Sequence, residues 1–179
     1  MLARQLYEGI LTENLYSNQV YLEIGSFDGE GIAMLSKRFP DKQFYSIDPF
    51  IEDGHTSKGT GVPTGDPLTE IRNIFLHNIK DCQNISYFDK TSEEFLKEKL
   101  YKTIYPDIIF IDGNHSYECV TIDLQLAELF AKNKRLYVVM DDTVNIEGVV
   151  KALVEFKLRH PEISFNSLPD YGAVYFYIS

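Results

Sequence analysis

The chain has 179 residues, carries a formal net charge of -10 and is 44% hydrophobic. A length in this range favours one folded domain, so residues 1–179 are predicted to form a single unit. The acidic balance without a basic patch argues against a nucleic-acid partner, and no window approaches ~18 uninterrupted apolar residues, which argues against a membrane span.

The cysteine content and the first residues bear on the cellular compartment. Cys82 and Cys119 are the two cysteines of the chain, and they do not form a C-x-x-C pair. Two free thiols suit a reducing environment, so a cytoplasmic location is predicted. Residues 1–17 mix charged side chains into an apolar pattern of helical period, which predicts an N-terminal amphipathic helix rather than a signal peptide.

Short apolar runs alternate with amphipathic segments along the rest of the chain. Predicted strands lie, in chain order, at 20–24, 43–48, 85–88, 107–112, 136–141, 162–168 and 173–178. Predicted helices lie at 32–39, 68–80, from 92 onward, 116–132 and 145–160. This alternation predicts an α/β fold: a doubly wound, mostly parallel seven-stranded sheet with helices on both faces and a C-terminal antiparallel hairpin. Ligands of such sheets bind at the carboxyl ends of the strands.

Residues 49–67 interrupt this alternation with three prolines and four glycines. Irregular segments of this length in compact domains are usually functional or disordered. The segment is predicted to be a mobile loop that orders over the active site and excludes water. Its only Lys or Arg is Lys58, which argues against a phosphorylated substrate.

A glycine-containing turn follows the first predicted strand. It reads E-x-G-x-x-x-G-x-G from Glu23 to Gly31, and glycines let a backbone turn sharply and approach a ligand. The second predicted strand ends in Asp48, whose carboxylate can accept both hydrogen bonds of a ribose diol. The two features together predict a nucleoside-containing cofactor. The turn lacks the G-x-G-x-x-G fingerprint of dinucleotide sites, and Glu23 would repel a pyrophosphate but tolerate a cofactor with a cationic centre.

Three carboxylates are predicted to converge where the fourth and fifth strands end. Asp112 ends one strand and Asp141 and Asp142 end the other, and neighbouring strands lie ~5 Å apart. Like charges this close need compensation, which a divalent cation such as Mg²⁺ would supply. The alternative without a metal is helix capping by Asp142 and cofactor contact by Asp112. His115 lies at the same mouth, either as a general base or as a structural hydrogen-bonding residue.

These motifs resemble those of a known enzyme family. The turn at 23–31 resembles motif I of class I S-adenosylmethionine-dependent methyltransferases, and Asp48 resembles that family's ribose-binding acid. The run I-D-G-N-H-S-Y-E at 111–118, followed by D-D at 141–142, resembles macrocin-type sugar O-methyltransferases and their cephalosporin-biosynthesis relatives. The resemblance covers roughly residues 18–160 in order and implies the Rossmann-like methyltransferase fold.

The resemblance also implies roles for individual residues. For cofactor binding it implies Glu23, Gly25, Ser26, Phe27, Gly29, Asp48, Pro49, Lys90, Thr91 and Asp112. It implies metal ligation by Asp112, Asp141 and Asp142, and catalytic roles for His115 and Asp112. The implied cofactors are S-adenosylmethionine and a divalent cation, Mg²⁺ in the first instance.

Methyl transfer is therefore the predicted function. The methyl group would pass from S-adenosylmethionine to a small-molecule acceptor, at a hydroxyl oxygen, with help from the cation. That acceptor is the predicted partner, and a second copy of the chain in a homo-oligomer is left open. Two other functions also stay open: an NAD-dependent oxidoreductase on a Rossmann-like fold, and an S-adenosylmethionine-binding module without catalysis.

Overall fold

The computed structural model describes residues 19–50, 67–132, 134–168 and 172–179. The predicted N-terminal helix at 1–17, and all but the ends of the predicted loop at 49–67, lie outside these residues. Within the described ranges, no helix is both long and apolar enough to cross a membrane.

Seven strands among the described residues form one sheet. They are β1 (Val20–Ile24), β2 (Gln43–Ile47), β3 (Ile85–Phe88), β4 (Ile108–Ile111), β5 (Leu136–Met140), β6 (Asn166–Leu168) and β7 (Ala173–Ile178). Their order across the sheet is β3-β2-β1-β4-β5-β7-β6. Strands β1 to β5 pair in parallel, whereas β7 runs antiparallel to both β5 and β6. The predicted fold is confirmed, and the strand order reverses between β1 and β4, where sheets of this kind bind ligands.

Helices cover both faces of the sheet. They are α1 (Glu30–Arg38), α2 (Pro67–Ile79), α3 (Ser92–Lys97), α4 (Tyr117–Ala131) and α5 (Glu147–Arg159). Helices α1 and α2 pack into one buried apolar cluster, and α3, α4 and α5 pack into a second. Successive residues of a strand belong to different clusters, as Tyr21 and Leu22 do in β1, because side chains alternate between the two faces of a sheet.

One predicted boundary is wrong. The strand predicted at 162–168 begins only at Asn166. Helix α5 ends at Arg159, and the amide of Ile163 then donates a hydrogen bond to the carbonyl of His160, so the chain turns before it pairs with β7. Ile163 is buried in the core, and its apolar character therefore reflects packing rather than strand pairing.

Candidate active site

The turn between β1 and α1 packs directly on the end of β4. Gly25 has a φ of +88°, and a Cβ atom there would overlap the carbonyl oxygen of Asp112. Gly29 has a φ of +72°, and a Cβ atom there would lie 2.5 Å from the ring of Phe75. Glycine is the residue that fits both positions without displacing the backbone or the ring. The predicted cofactor turn and Asp112 are therefore held against each other.

Asp48 is buried just after β2, where it binds the glycine turn. Its Oδ2 accepts a hydrogen bond from the Phe27 amide at 2.7 Å, and its Oδ1 accepts one from the Phe50 amide at 2.6 Å. Each oxygen of a carboxylate has two lone pairs, so the group can accept further hydrogen bonds from a ligand. The structure brings together Asp48, Phe27 and Pro49, three of the residues predicted to contact the cofactor.

Glu23 is buried in β1, next to the same turn. The Tyr21 hydroxyl donates a hydrogen bond to Glu23 Oε2 at 2.7 Å. Burial and the neighbouring Glu23 carboxylate raise the pKa of Tyr21 well above its ordinary value, so the hydroxyl stays a donor at neutral pH. Sequence reasoning missed Tyr21. The available signal was its spacing of two residues from Glu23, which places both side chains on one face of the strand.

Ser26 carries a buried hydroxyl within the glycine turn. The residue is 5% exposed, and its Oγ has no hydrogen-bond partner among the residues that the structure describes. Buried polar groups nearly always have such a partner. A polar cofactor in contact with the turn would supply one. The buried Ser26 hydroxyl is therefore a candidate for a hydrogen bond to such a cofactor.

Lys90 and Thr91 follow β3 and have local partners. Lys90 Nζ lies 2.8 Å from Glu98 Oε1. Thr91 Oγ1 accepts a hydrogen bond from the Glu94 amide at 3.2 Å, and the Glu94 carboxylate accepts one from the Thr91 amide at 2.9 Å. This reciprocal pair is the capping box that starts α3. Both residues thus have structural roles, and their contact with the cofactor stays a prediction.

His115 stands between two carboxylates at the ends of β4 and β5. Its Nε2 lies 3.2 Å from Asp142 Oδ2 and 3.7 Å from Asp112 Oδ1. One potential ligand atom from each of these three residues lies within 4.8 Å of the others. Asp141 is engaged differently, because its Oδ1 accepts a hydrogen bond from the Asp142 amide at 2.7 Å. Of the three predicted metal ligands, the structure therefore groups Asp112 and Asp142, with His115 as the third member.

Negative charge is concentrated in this cluster. Burial raises the pKa of Asp112 from 3.8 to about 6. A hydrogen bond with His115 lowers this pKa in part, whereas the charges of Asp141 and Asp142 raise it further. A bound cation or a protonated His115 would offset the repulsion. Two carboxylates and one imidazole form a donor set that suits a divalent cation.

Two further residues near this cluster were missed by sequence reasoning. Asp123, in α4, lines a small cavity together with Asp112, His115 and Asp141. Gly148, the second residue of α5, lets that helix pass close to the loop, since a Cβ atom there would lie 2.5 Å from the carbonyl oxygen of His115. The signal for Asp123 was a charged residue on the apolar stripe of a predicted helix. Gly148 gave no signal, because its close contact depends on how α5 packs.

Comparison with known sequences identifies relatives of the chain. The profile of a family described as a methyltransferase domain matches residues 22–143. The uncharacterized protein R132 of Acanthamoeba polyphaga mimivirus is 31% identical over 122 residues, which make up 68% of this chain and 50% of that protein. The chain thus spans about half the length of this relative. The segment matched by the family profile includes both the glycine turn and the cluster of Asp112, His115 and Asp142.

Several solved structures share the fold. The calicheamicin methyltransferase CalS11 aligns with a TM-score of 0.69 at 14% identity, over 99% of this chain and 78% of that one. The MycE methyltransferase of the mycinamycin biosynthetic pathway, in complex with Mg and SAH, aligns with a TM-score of 0.61 at 14% identity. The alignment covers 96% of this chain and 48% of that one. Aeropyrum pernix fibrillarin with natively bound S-adenosyl-L-methionine aligns with a TM-score of 0.57 at 14% identity. The alignment covers 90% of this chain and 66% of that one. At these identities the similarity is one of fold.

Proposed function

Because the chain belongs to the methyltransferase-domain family, we propose that it transfers a methyl group from S-adenosylmethionine to a hydroxyl oxygen of a small-molecule acceptor. The observation that carries this proposal is the packing of Gly25 on the backbone of Asp112. That contact puts a turn suited to a nucleoside cofactor beside a cluster suited to activating a hydroxyl group. Methyl transfer requires these two functions side by side, because donor and acceptor must be held close and in line.

On the donor side, we assign the cofactor to the rim formed by the glycine turn and Asp48. S-adenosylmethionine supplies an electrophilic methyl group on a positively charged sulfur. The Asp48 carboxylate would accept hydrogen bonds from the ribose hydroxyls, and the buried hydroxyl of Ser26 would bind the methionine part. Glu23, oriented by Tyr21, adds a negative charge that favours a cationic cofactor over a pyrophosphate.

On the acceptor side, we assign the role of base to His115. An imidazole can accept a proton near neutral pH, and Nε2 of this one faces Asp112 and Asp142. As the acceptor oxygen bonds to the methyl carbon and the carbon–sulfur bond breaks, the hydroxyl proton would pass to the ring nitrogen of neutral His115 that does not donate to the carboxylates. The two carboxylates would stabilise the resulting imidazolium. The products are the methyl ether, protonated His115 and S-adenosylhomocysteine, whose thioether sulfur is neutral.

The same three side chains also form a proposed site for a divalent cation. Burial first, and then the charges of Asp141 and Asp142, raise the pKa of Asp112, and a bound cation would favour its ionised form again. The ion would supply Lewis-acid chemistry to the acceptor hydroxyl. MycE, a fold relative that was crystallised with Mg and SAH, makes Mg²⁺ the first ion to test. A metal ion bound at Nε2 would replace the proton that Nε2 donates to the carboxylates, so the base and ligand roles of His115 can be separated by experiment.

We propose a hydroxylated glycoside or similar molecule as the acceptor class. The run at 111–118 resembles that of macrocin-type sugar O-methyltransferases, and the fold relative CalS11 is described as a TDP-rhamnose 3'-O-methyltransferase. The segment at 49–67 has Lys58 as its only Lys or Arg, which favours an acceptor without phosphate groups, unlike the TDP-linked sugar named for CalS11.

Calorimetry and product analysis test the proposed function. Titration should detect S-adenosylhomocysteine binding, with a dissociation constant on the order of micromolar, and no comparable binding of NADH. Incubation with methyl-labelled S-adenosylmethionine and a panel of hydroxylated acceptors should give a labelled methyl ether, detected by mass spectrometry. Binding of NADH without binding of S-adenosylhomocysteine would overturn the proposal in favour of an oxidoreductase. Cofactor binding without transfer to any acceptor would instead indicate a non-catalytic module.

A further inference from the structure

Asp123 is a buried carboxyl group in the middle of α4. The residue is 2% exposed and lies beside Val120 and Leu124, which belong to the apolar core. Burial raises the pKa of Asp123 to about 7, and a hydrogen bond with the Ser92 side chain offsets only part of this rise. Its Oδ1 has no donor among the residues described by the structure. A polar atom buried this deeply is costly without a partner, so a further partner is expected for Oδ1.

Asp123 connects two segments of the proposed active site. On one side, its hydrogen bond with Ser92 reaches the first residue of α3, directly after Thr91. On the other side, its Oδ2 lies 3.6 Å from the position that a Cβ atom on Gly113 would occupy. The carboxyl group therefore packs beneath the turn that follows Asp112.

A small cavity lies between Asp123 and this turn. Its volume of about 10 Å³ suits a single water molecule. Its polar lining comes from Asp112, Asn114, His115, Asp123 and Asp141, and its apolar lining includes Ile111, Val120, Met140 and Val149. A buried water needs two to four polar partners, and Asp123 Oδ1, which has no donor among the described residues, would be one of them. A cavity of this volume has no room for the waters that complete the coordination of a hard metal ion, so it favours a single water over a second cation.

We propose that Asp123 is a positioning residue, which binds one water in this cavity and through it holds the turn that carries Asp112 and His115. The catalytic consequence rests on the proposed function, whereas the arrangement itself is a property of the fold. Loss of the water-mediated contact would let His115 move relative to Asp142. A displacement of about 1 Å at a reacting group lowers turnover strongly, while cofactor binding through Asp48 would be preserved.

Two variants of Asp123 separate positioning from packing. Asp123→Asn keeps the shape and can bind both Ser92 and the water, whereas Asp123→Leu fills a similar volume and can bind neither. The Asn variant should keep turnover within about threefold of the parent protein, and the Leu variant should lose about tenfold or more with little change in cofactor KM. Leu126→Ala is the matched control, because Leu126 is fully buried on the same helix but does not line the cavity.

The ring resonances of His115 give a readout that does not require methyl transfer. In proton–nitrogen correlation spectra at fixed pH, Asp123→Leu should shift them, whereas Asp123→Asn and Leu126→Ala should not. A crystal structure of the parent protein should contain the water. Unshifted resonances in Asp123→Leu, or a dry cavity, would overturn the positioning role. Shifted resonances in a protein that neither binds S-adenosylhomocysteine nor transfers methyl groups would refute the proposed function and leave the positioning role standing.

Discussion

The amide of Phe27 donates a 2.7 Å hydrogen bond to Asp48 Oδ2, and this bond joins two turns that follow different strands. Phe27 has a φ of +48°, a left-handed conformation that costs a non-glycine residue about 1–2 kcal/mol. The Asp48 carboxylate, which also accepts a hydrogen bond from Phe50, offsets this strain. Asp48 therefore shapes the glycine turn before any ligand binds, in addition to its proposed contact with ribose.

Replacement of Asp48 by asparagine should weaken the binding of S-adenosylhomocysteine by roughly 1–3 kcal/mol. The Phe27 and Phe50 amides bind different oxygens of Asp48, and in asparagine one of these oxygens becomes an NH₂ group, which donates and cannot accept. It also lacks the charge that strengthens a hydrogen bond to a ribose hydroxyl. Isothermal titration calorimetry measures the loss directly.

The control for this experiment is Asp41→Asn. Asp41 is exposed and lies between α1 and β2, at the opposite end of the strand that Asp48 follows. The control removes the same charge from the protein and should leave the affinity unchanged. Equal affinities in the two variants and the parent protein would rule out Asp48 as a ribose ligand.

The positions of the functional segments could be predicted from the sequence because the parallel strands are encoded locally. Val20–Ile24 and Leu136–Met140 are short, nearly continuous apolar runs, as expected for strands that are covered on both faces. Parallel strands also share one carboxyl edge, so Asp48, Asp112 and Asp142 had to end up along the same rim. The fold and the location of the candidate site both follow from this rule.

The pairing of individual side chains within the site could not be predicted. Asp142 has a φ of +55°, and this left-handed backbone orients its carboxylate toward His115, while Asp141 accepts a hydrogen bond from the Asp142 amide. No periodicity in the sequence encodes a single backbone angle of this kind. The role of Asp123 was hidden for a different reason, because its neighbours Ser92 and Gly113 come from other elements of the chain.

Asp142→Asn should reduce the affinity for Mn²⁺ or Mg²⁺ by about tenfold or more, and Asp141→Asn should reduce it much less. Asp142 belongs to the group of three potential ligands, whereas Asp141 binds an amide that an asparagine oxygen could also bind. Mn²⁺ binding can be followed by water proton relaxation. A larger loss in the Asp141 variant would show that the predicted set of three aspartates, and not the set with His115, holds the ion.

Removal of divalent ions with a chelator should lower turnover at least about tenfold and change S-adenosylhomocysteine affinity by less than about twofold. The two effects should differ because the acidic cluster is the proposed acceptor side, while Asp48 and the glycine turn are the proposed donor side. Turnover assays and calorimetry on the same chelated sample measure the two quantities. Full activity in excess chelator would contradict the proposed metal requirement, and His115 would then remain as the proposed base.

The free energy of unfolding should depend on pH through Asp123. Burial raises its pKa in the folded protein from 3.8 to about 7, so between these values the folded state holds a proton that the unfolded state has released. The contribution to stability is thus largest below about pH 4 and declines up to about pH 7, by up to roughly 1.4 kcal/mol per pH unit. Asp123→Asn should remove the part of the decline that comes from Asp123 and leave the part that comes from the raised pKa of Asp112, whereas Asp41→Asn should keep both. Urea unfolding of the parent protein and both variants between about pH 4.5 and 7.5 tests this prediction. Equal dependence of the free energy of unfolding on pH in all three proteins would contradict it.

Gly148→Ala should destabilise the protein by about 1–3 kcal/mol, although alanine favours helices over glycine by ~1 kcal/mol. The added Cβ would lie 2.5 Å from the His115 carbonyl oxygen and 2.8 Å from the Tyr117 amide nitrogen, so α5 or the His115 loop must move. Urea unfolding and turnover should therefore decline together, whereas Val154→Ala, at an exposed position of the same helix, should leave both nearly unchanged. If the Gly148→Ala protein had higher stability and full turnover, the loop that carries His115 would be able to shift at little cost. Close packing against α5 would then not fix the position of His115.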